Sequence, residues 1–286
     1  MILAPLRGVT IRCFRETFAE EVRTTGFTEA ITPFITANAG YDPLKDRELR
    51  GQESGISDRG LRVTPQFIGK DPEALRTCLE KVKAAGYETA DLNCGCPFPM
   101  VRNKGRGSGI LRTPDVLRRM LEAGCEVMGP GKFSVKVRLG VDRGDELLKL
   151  MPMINEFPLR FLTVHARTAR QMYEGSCDCE MLEKVEKIAK IPVVRNGDLE
   201  IGETGETPVH PVMIGRGFVR WLGAQEESGE WLGRYIAASQ AELCGDRPVL
   251  GRMKELISYW KNLPRWRLRW DVIKICRTVD ELKAII

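Results

Sequence analysis

Residues 91–111 read DLNCGCPFPMVRNKGRGSGIL, and the rest of the chain is organised around this stretch. A short apolar segment ends at Asn93, and a thiol follows at Cys96, before a loop rich in glycine, lysine and arginine. An amide, a thiol and a flexible cationic loop directly after a predicted strand form a place where chemistry on an anionic substrate can occur. Taken alone, the stretch is better explained by small residues in an ordinary turn, so the interpretation depends on the rest of the chain.

The same alternation of strand and helix recurs on both sides of this stretch. Short apolar runs typical of strands lie at residues 2–5, 29–33, 63–67, 89–93, 134–138, 161–165, 193–196 and 212–214. Helix-like stretches between them lie at residues 11–24, 71–85, 114–123, 145–156 and 179–189. Strands alternating with helices in this way predict an α/β fold, a (β/α)8 TIM barrel. A doubly wound open sheet is the alternative, but the spacing suggests no switch point, and no Gly-x-Gly-x-x-Gly follows the first strand.

Two parts of the chain depart from the repeat. Residues 198–211 are rich in glycine and threonine, so the seventh barrel helix is predicted to be a single turn or a loop. From residue 226 onward the pattern is wholly helical, over residues 226–241, 248–262 and 270 to the end. We therefore predict a catalytic barrel domain at residues 1–222 and a small C-terminal all-helical domain at residues 223–286.

Composition limits the class of protein. Of the 286 residues 43% are apolar and 29% are charged, which is typical of a soluble protein with a packed core. The nine cysteines are odd in number and no secretory signal precedes them, so we expect reduced thiols and a cytoplasmic protein. No apolar run reaches the ~18 residues of a membrane helix, so no membrane association is predicted. The net charge of +5 is a modest indication of a polyanionic partner.

The polar residues at the predicted strand ends indicate what the barrel binds, because barrel active sites lie at the C-terminal ends of the strands. Apart from Pro5, Cys96 and Gly215, these residues are amides, cations and one imidazole, namely Gln66, Asn93, Lys136, Arg138, His165, Arg167, Asn196 and Arg216. Asp198 is the one nearby acid, so the paired carboxylates of a glycoside hydrolase are missing. The chain has two histidines and its Cys-x-Cys pairs are too tightly spaced for zinc, so no metal site is predicted. Such a ring suits an anionic, planar, hydrogen-bonding cofactor.

The last two strands each end in a tight turn. Asn196-Gly197-Asp198 and Gly215-Arg216-Gly217 offer exposed backbone N–H groups and a cation. Barrels commonly hold a phosphate group in the loops after strands seven and eight. The two turns together therefore indicate a phosphate-binding end for the cofactor.

In these motifs the chain resembles the tRNA-dihydrouridine synthase family, flavin enzymes that reduce a uridine in RNA. The segments that carry the resemblance occur in the family's order and cover residue 2 to about residue 221. They are LAPLRGVT, TPQFIGKDP, DLNCGCPFPMVRNKGRGSGIL, SVKVRLG, TVHARTARQMYEG, VVRNGD and VMIGRG. The Asn-x-Gly-Cys-Pro motif is the most specific of them.

The resemblance implies a set of roles for these residues. Cys96 is implied to protonate C5 of uracil while FMN delivers hydride to C6, with NADPH as the electron donor. Lys136 is implied to face the N1/O2 edge of the flavin, and Gln66 its pyrimidine edge. The other implied FMN-binding residues are Pro5, His165, Asn196, Asp198, Gly215 and Arg216, and the implied substrate-binding residues are Asn93, Arg138 and Arg167.

The C-terminal region carries the sequence argument for RNA. Residues 247–277 contain nine Lys or Arg residues against two acids, with Tyr259, Trp260, Trp266 and Trp270 interleaved. Cations for phosphates and aromatic rings for stacking are typical of an RNA surface. The aromatic residues are equally consistent with the core of the helical domain. We expect tRNA as the partner of a monomeric protein.

The sequence alone is also compatible with two other functions. One is a flavin-dependent reductase of a free pyrimidine, similar to dihydroorotate dehydrogenases; the basic C-terminal region argues against it. The other is a non-catalytic RNA-binding homologue, and the presence of Cys96, Lys136 and His165 together argues against that. The short helical domain and the irregular seventh repeat leave open which RNA and which uridine are recognised.

Overall fold

The structure is a computed structural model that describes residues 1–50, 60–202 and 210–286. Ten parallel strand segments form its sheet. They are β1 (Ile2–Leu3), β2 (Glu29–Ile31), β3 (Ile35–Thr36), β4 (Arg62–Thr64), β5 (Gln66–Ile68), β6 (Ala90–Cys94), β7 (Phe133–Gly140), β8 (Leu162–Thr168), β9 (Val193–Asn196) and β10 (Val212–Ile214). Every predicted strand overlaps an observed one.

The sheet closes into a barrel of eight strands, two of which are interrupted. Strand β2 pairs with β1 and β4, while its continuation β3 pairs with β5, and β5 pairs with β6. Pairing of β1 with β10 completes the ring. Pro33 lies between β2 and β3, and Pro65 lies between β4 and β5. Proline has no N–H to donate to the ladder, so each of these strands breaks at its proline and then resumes. The predicted barrel is confirmed.

Helices follow most strands and cover the outside of the barrel. They are α1 (Arg12–Thr17), α2 (Ala19–Thr24), α3 (Pro72–Ala84), α4 (Pro99–Arg102), α5 (Pro114–Met128), α6 (Glu146–Ile154), α7 (Cys179–Ile188) and α8 (Arg216–Ala224). The start of α3 matches its sequence signal, since the Asp71 carboxylate accepts from the N–H groups of Glu73 and Ala74. The single helix predicted at residues 11–24 is observed as two short helices with a break at Phe18, whose buried ring packs against Tyr235.

Half of the irregular seventh repeat, residues 203–209 of 198–211, lies outside the described residues. The structure assigns no helix to residues 198–202, which agrees with the expected loop. The remainder of that prediction concerns residues 203–209, which lie outside the described part of the chain.

The C-terminal segment is helical, as predicted from its pattern, but the region of the last predicted helix, from residue 270 to the end, is observed as parts of two helices. It contains α9 (Ser228–Glu242), α10 (Asp246–Ser258), α11 (Pro264–Ile273) and α12 (Val279–Lys283). These helices share one hydrophobic cluster with α1, α2 and α8. Across residues 1–50, 60–202 and 210–286, no helix is long and apolar enough to cross a membrane.

Two tryptophans from the C-terminal segment lie in this shared cluster. Trp260 and Trp266 are fully buried, and their indole N–H groups donate to the carbonyls of Val219 and Gly223 at 2.6 and 2.8 Å. A buried indole that donates to a backbone carbonyl belongs to a core, so these two rings pack the helices together and are not available for stacking with a ligand.

Candidate active site

A cavity of about 370 Å³ opens at the C-terminal ends of the barrel strands. Ten of the residues predicted from the strand ends line it: Pro5, Asn93, Cys96, Lys136, Arg138, His165, Asn196, Asp198, Gly215 and Arg216. Gln66 and Arg167 do not line it and are buried behind its wall. The barrel gathers residues from six strands because parallel strands all end at the same rim.

Cys96 lies in a turn that its neighbours hold tightly. The Asn93 Oδ1 accepts from the backbone N–H groups of Gly95 and Cys96 at 3.1 and 2.9 Å. The glycine-rich loop wraps this turn, because a Cβ on Gly107, whose φ is +57°, would lie 2.8 Å from the Cys96 Cβ. Burial raises the pKa of the Cys96 thiol, so the thiol stays protonated at neutral pH.

Lys136 reaches across the cavity floor from β7 to β9. Its Nζ donates to the Asn196 Oδ1 at 2.7 Å, and the Asn196 amide nitrogen donates to the Met213 carbonyl at 2.7 Å. Burial, and then the nearby Arg138 cation, lower the pKa of Lys136 to about 7, while Asp91 opposes the shift. The ammonium group therefore gains or loses its charge near neutral pH.

His165 forms the other side of the cavity with Gly197. The backbone at Gly197 has a φ of +118°, and a Cβ there would lie 2.8 Å from the His165 Cδ2 and 2.5 Å from the Cys177 Sγ. Burial, and then Lys136 and other nearby cations, lower the pKa of His165 well below its ordinary range, so the ring is neutral. Glycine is required here by both the conformation and the close approach.

Asp198 joins two arginines at the edge of the cavity. Its carboxylate accepts from the Arg216 guanidinium at 2.6 Å and from that of Arg167. The hydrogen bond from Arg167 is the main reason that the pKa of Asp198 is lowered. Arg216 is the first residue of α8, so a cation and the free N–H groups of a helix N-terminus lie together beside the cavity.

The two arginines predicted to contact substrate hold the loop after β8. Arg138 donates to the carbonyls of Gly95, Thr168 and Met172 at 2.9, 2.8 and 2.6 Å. Arg167 donates to the carbonyls of Glu174 and Gly175, to the Cys177 thiol and, at 3.4 Å, interacts with the His165 Nε2. Burial lowers the pKa of Arg138 to about 10, so it remains a cation. Contact of either arginine with substrate stays a prediction.

The structure adds cavity residues that the strand-end argument missed: Arg7, Phe34, Phe98, Tyr173, Glu255 and Tyr259. Tyr173 lies between two cations, with the guanidinium carbons of Arg138 and Arg216 at 5.3 and 5.0 Å from its ring centre. Arg7 and Tyr173 lie within segments that carry the family resemblance, so the resemblance could have identified them from the sequence. Glu255 lies in the C-terminal region, and nothing in the local sequence pointed to it. Tyr259 was noted there only as one of the aromatic residues of the basic region and was not expected in the cavity.

No group of three or more His, Cys, Asp or Glu side chains suited to a metal ion occurs among residues 1–50, 60–202 and 210–286. The arrangement is instead a concave, cation-rich cavity with a protonated thiol at one wall and glycine turns at the other. Such a cavity can hold a flat anionic molecule beside a proton donor.

Comparisons with known proteins agree with this arrangement. The family described as dihydrouridine synthase (Dus) matches residues 2–222. A tRNA-dihydrouridine(16) synthase from Haemophilus influenzae is 27% identical over 99% of this chain and 97% of its own length. A tRNA-dihydrouridine synthase B from Vibrio vulnificus is 28% identical over 76% of this chain and 66% of its own length. The chain thus spans nearly all of the first relative and just under two thirds of the second.

A solved structure shares the fold at low sequence identity. A morphinone reductase variant in complex with tetrahydroNAD superposes with a TM-score of 0.53 at 12% identity, over 77% of this chain and 83% of that one. This likeness supports the barrel architecture alone.

Proposed function

The chain belongs to the dihydrouridine synthase family, and we propose on that premise that it reduces a uridine in tRNA to 5,6-dihydrouridine. FMN is the proposed cofactor and NADPH the proposed electron donor. The observation that carries the proposal is the cavity itself, in which Cys96, Lys136 and His165 face a common space. The proposed reaction adds two hydrogens across the C5–C6 bond of uracil.

The donor set of the cavity fits FMN. Arg216, the N-terminus of α8 and the turn at Gly197 suit a phosphate group, since all of them offer N–H donors or positive charge. Lys136 and Asn196 suit the polar edge of a flavin ring. A neutral His165 can donate or accept one hydrogen bond without adding charge. Pro5, Asp198 and Gly215 complete the proposed FMN-binding set.

Each chain residue then has a defined task in the reaction. When bound and reduced by NADPH, FMN would supply the hydride that adds to C6 of the uracil. Cys96 holds a proton for C5, because its raised pKa keeps the thiol protonated. Lys136 holds a positive charge beside the flavin site, and Asn196 fixes its position. Arg138 donates to the carbonyls of Thr168 and Met172 and so holds the loop that places Tyr173 in the cavity lining.

Recognition of RNA is proposed to involve both parts of the chain. A uridine inside folded RNA must be extruded to reach a cavity of this depth. Phe98, Tyr173 and Tyr259 line the cavity, and we propose that their rings contact the extruded base. We assign residues 1–222 to the FMN-binding barrel and residues 223–286 to an RNA-binding helical domain. We propose that the protein acts as a monomer in the cytoplasm, where its tRNA substrate is found.

The alternatives are less well supported. A reductase of a free pyrimidine needs no basic helical segment, yet residues 247–277 carry nine Lys or Arg residues against two acids, and Glu255 and Tyr259 of this region line the cavity. A non-catalytic RNA-binding protein needs no buried thiol beside a buried lysine. The names of the curated relatives also favour tRNA reduction.

The test is mass analysis of bulk tRNA from cells with and without the gene, searching for uridine that has gained two hydrogens. We expect one such position to revert to uridine in the deletion strain and to return on complementation with the wild-type gene. Position 16 is examined first, since it appears in the name of the relative that is matched along nearly its full length. An unchanged tRNA profile would contradict the proposal. The visible spectrum of the purified protein reports separately on bound flavin.

A further inference from the structure

A chain of hydrogen bonds runs from the Cys96 turn to a carboxylate inside the barrel. The Cys96 N–H donates to the Asn93 Oδ1 at 2.9 Å, and the Asn93 Nδ2 donates to the Gln66 Oε1 at 2.8 Å. The Gln66 Nε2 donates to the Asp91 Oδ2 at 2.7 Å, and the Ser134 hydroxyl donates to the other Asp91 oxygen at 2.6 Å. Every donor in this chain points toward Asp91, and all of its side chains are buried.

Both ends of the chain impose the same direction on it. A backbone N–H can only donate, so the Asn93 oxygen must face Gly95 and Cys96. An ionised carboxylate can only accept, so the Gln66 nitrogen must face Asp91. Burial raises the pKa of Asp91 to about 6, which leaves it ionised at neutral pH. Neither amide can be turned over without placing two donors or two acceptors against each other.

This direction decides what Asn93 can offer to a ligand. Its oxygen accepts two backbone bonds and one of its two N–H groups is used on Gln66, which leaves one N–H for the cavity that Asn93 lines. We infer that Asp91, acting through Gln66, fixes Asn93 as a hydrogen-bond donor and so makes the site select uracil over cytosine. Asp91 is thus a positioning residue for specificity, and the inference rests on the proposed function.

The selectivity follows from the chemistry of the two bases. Asn93 is bonded to the Cys96 backbone, and Cys96 is the proposed proton donor to C5. Of the two ring atoms next to C5, only C4 carries a polar group, so we assign the free Asn93 N–H to the substituent at C4. Uracil carries a carbonyl at C4, which accepts an N–H, whereas cytosine carries an amino group there. A cytosine would therefore set a donor against a donor in a buried site, and a site built for one hydrogen-bond polarity rejects the other strongly.

The direction of the chain is tested by a thermodynamic cycle that needs no activity. Asn93→Asp places a second carboxylate against the Gln66 oxygen, and Asp91→Asn permits Gln66 to turn over and satisfy it. Asn93→Asp should lower the midpoint of unfolding. We expect this decrease to be less than half as large in the Asp91→Asn background as in the wild-type background. Equal losses in the two backgrounds would overturn the inference.

A control separates this coupling from simple repulsion between two carboxylates. Gln66→Met removes the amide that joins positions 91 and 93 but keeps the length of the side chain. The same cycle in the Gln66→Met background is expected to lose most of its coupling. Coupling that persists at full size would attribute the effect to charge repulsion and overturn the role of Gln66.

The selectivity is tested with tRNA transcripts that carry uridine or cytidine at the modified position. The wild type is expected to reduce the uridine transcript only. The double variant Asp91→Asn/Asn93→Asp is expected to fold but to reduce uridine at least a hundredfold more slowly, because position 93 then offers only acceptors. Wild-type rates in that variant would overturn the selectivity claim. A wild type that reduces no tRNA uridine would contradict the proposed function, while the stability cycle would still decide the direction of the chain.

Discussion

The Lys136 Nζ and the Asn196 Oδ1 are joined by a 2.7 Å hydrogen bond that links β7 to β9 across the mouth of the barrel. Because the bond holds a buried amine in place, the position of the positive charge is fixed even though its protonation is not. The pKa of Lys136, lowered to about 7 mainly by burial, places the charge transition within the range of ordinary buffers. Binding of an anion at this site should therefore depend on pH.

The first prediction concerns Lys136→Met. In the wild type the ammonium cation is present below the pKa of about 7 and lost above it, so the advantage in FMN affinity over Lys136→Met should be largest at acidic pH. That advantage should shrink as the pH rises from about 6 to about 9. Fluorescence titration of apo-protein with FMN measures it. Lys132→Met, an exposed lysine just before the same strand, is the matched control and should follow the wild type. An advantage that is constant over this range would refute the assignment.

The second prediction concerns Gly197→Ala. The methyl group would meet the Cys177 thiol and the His165 ring at 2.5 and 2.8 Å, at a φ of +118° that alanine rarely adopts. We expect FMN affinity to fall by about tenfold or more, because His165 must move. Gly202→Ala is the control, since a Cβ there meets no atom of residues 1–50, 60–202 and 210–286 within 4 Å and the φ carries no strain. Equal FMN affinity in the two variants would remove the Gly197 turn from the binding site.

The third prediction concerns the thiol. Cys96→Ala should keep bound flavin but slow uridine reduction by about 10² to 10⁴-fold, the usual contribution of a positioned acid. Cys94→Ala is the control, because Cys94 is fully buried on the same turn and lies outside the cavity lining. Since burial raises the pKa of Cys96, the wild-type rate should show no loss from thiol ionisation near neutral pH. Single-turnover oxidation of the reduced enzyme by tRNA measures the rate of uridine reduction and its dependence on pH. Full activity of Cys96→Ala would exclude Cys96 as the acid.

The barrel could be predicted from the sequence because each strand is a short apolar run between turn signals. Ten of the residues that were predicted at the strand ends do line one cavity, because the strands are parallel and end at the same rim. Position along a strand does not decide which way a long side chain turns, however. Gln66 and Arg167 were expected to contact ligands, and the structure places them behind the cavity wall, bonded to Asp91 and Asp198 respectively. Their predicted ligand contacts remain predictions.

Contacts between distant parts of the chain were beyond the sequence patterns. Glu255 and Tyr259 reach the cavity because α10 packs on the barrel through a cluster shared with α1 and α8. The roles of Trp260 and Trp266 were equally undetermined, since helical spacing of aromatic residues fits both a core and an RNA surface. Only the packing, with both indole N–H groups bonded to carbonyls of α8, assigns them to the core.

The fourth prediction concerns RNA binding by the C-terminal helices. Arg265 and Arg269 bond to the carbonyls of Glu226 and Ile286, so reversing their charge would alter the fold as well as the surface. Lys261 and Arg267 are exposed, and Lys261→Glu/Arg267→Glu should weaken tRNA binding and reduce its dependence on salt, by about 0.9 in logarithmic slope per lost phosphate contact.

Filter binding at several salt concentrations measures this fourth effect. The control reverses the same number of charges on the barrel, at the exposed residues Lys184 and Lys187 of α7. Lys184→Glu/Lys187→Glu should retain more tRNA affinity than the C-terminal variant. If the two variants bind tRNA equally well, the C-terminal helices have no special part in holding RNA.

The fifth prediction concerns the stability contribution of Asp91. Its folded pKa of about 6 lies above its ordinary value of 3.8, so between these values the folded state binds a proton that the unfolded state does not. The contribution of Asp91 to the free energy of unfolding therefore falls as the pH rises through this window. At neutral pH the ionised group costs about 3 kcal/mol relative to the protonated one.

Asp91→Asn lacks this titration. The free energy of unfolding of the variant, relative to that of the wild type, should therefore increase as the pH rises from about 4 to about 7. Urea unfolding of both proteins across this range measures the difference. Asp145→Asn is the control, because the pKa of Asp145 is lowered to about 2 by its hydrogen bond to Arg143, and the carboxylate is already ionised throughout the window. A difference between Asp91→Asn and the wild type that does not change with pH would mean that Asp91 is not held ionised against its burial. The hydrogen-bond chain to Cys96 would then lose the fixed acceptor on which its direction depends.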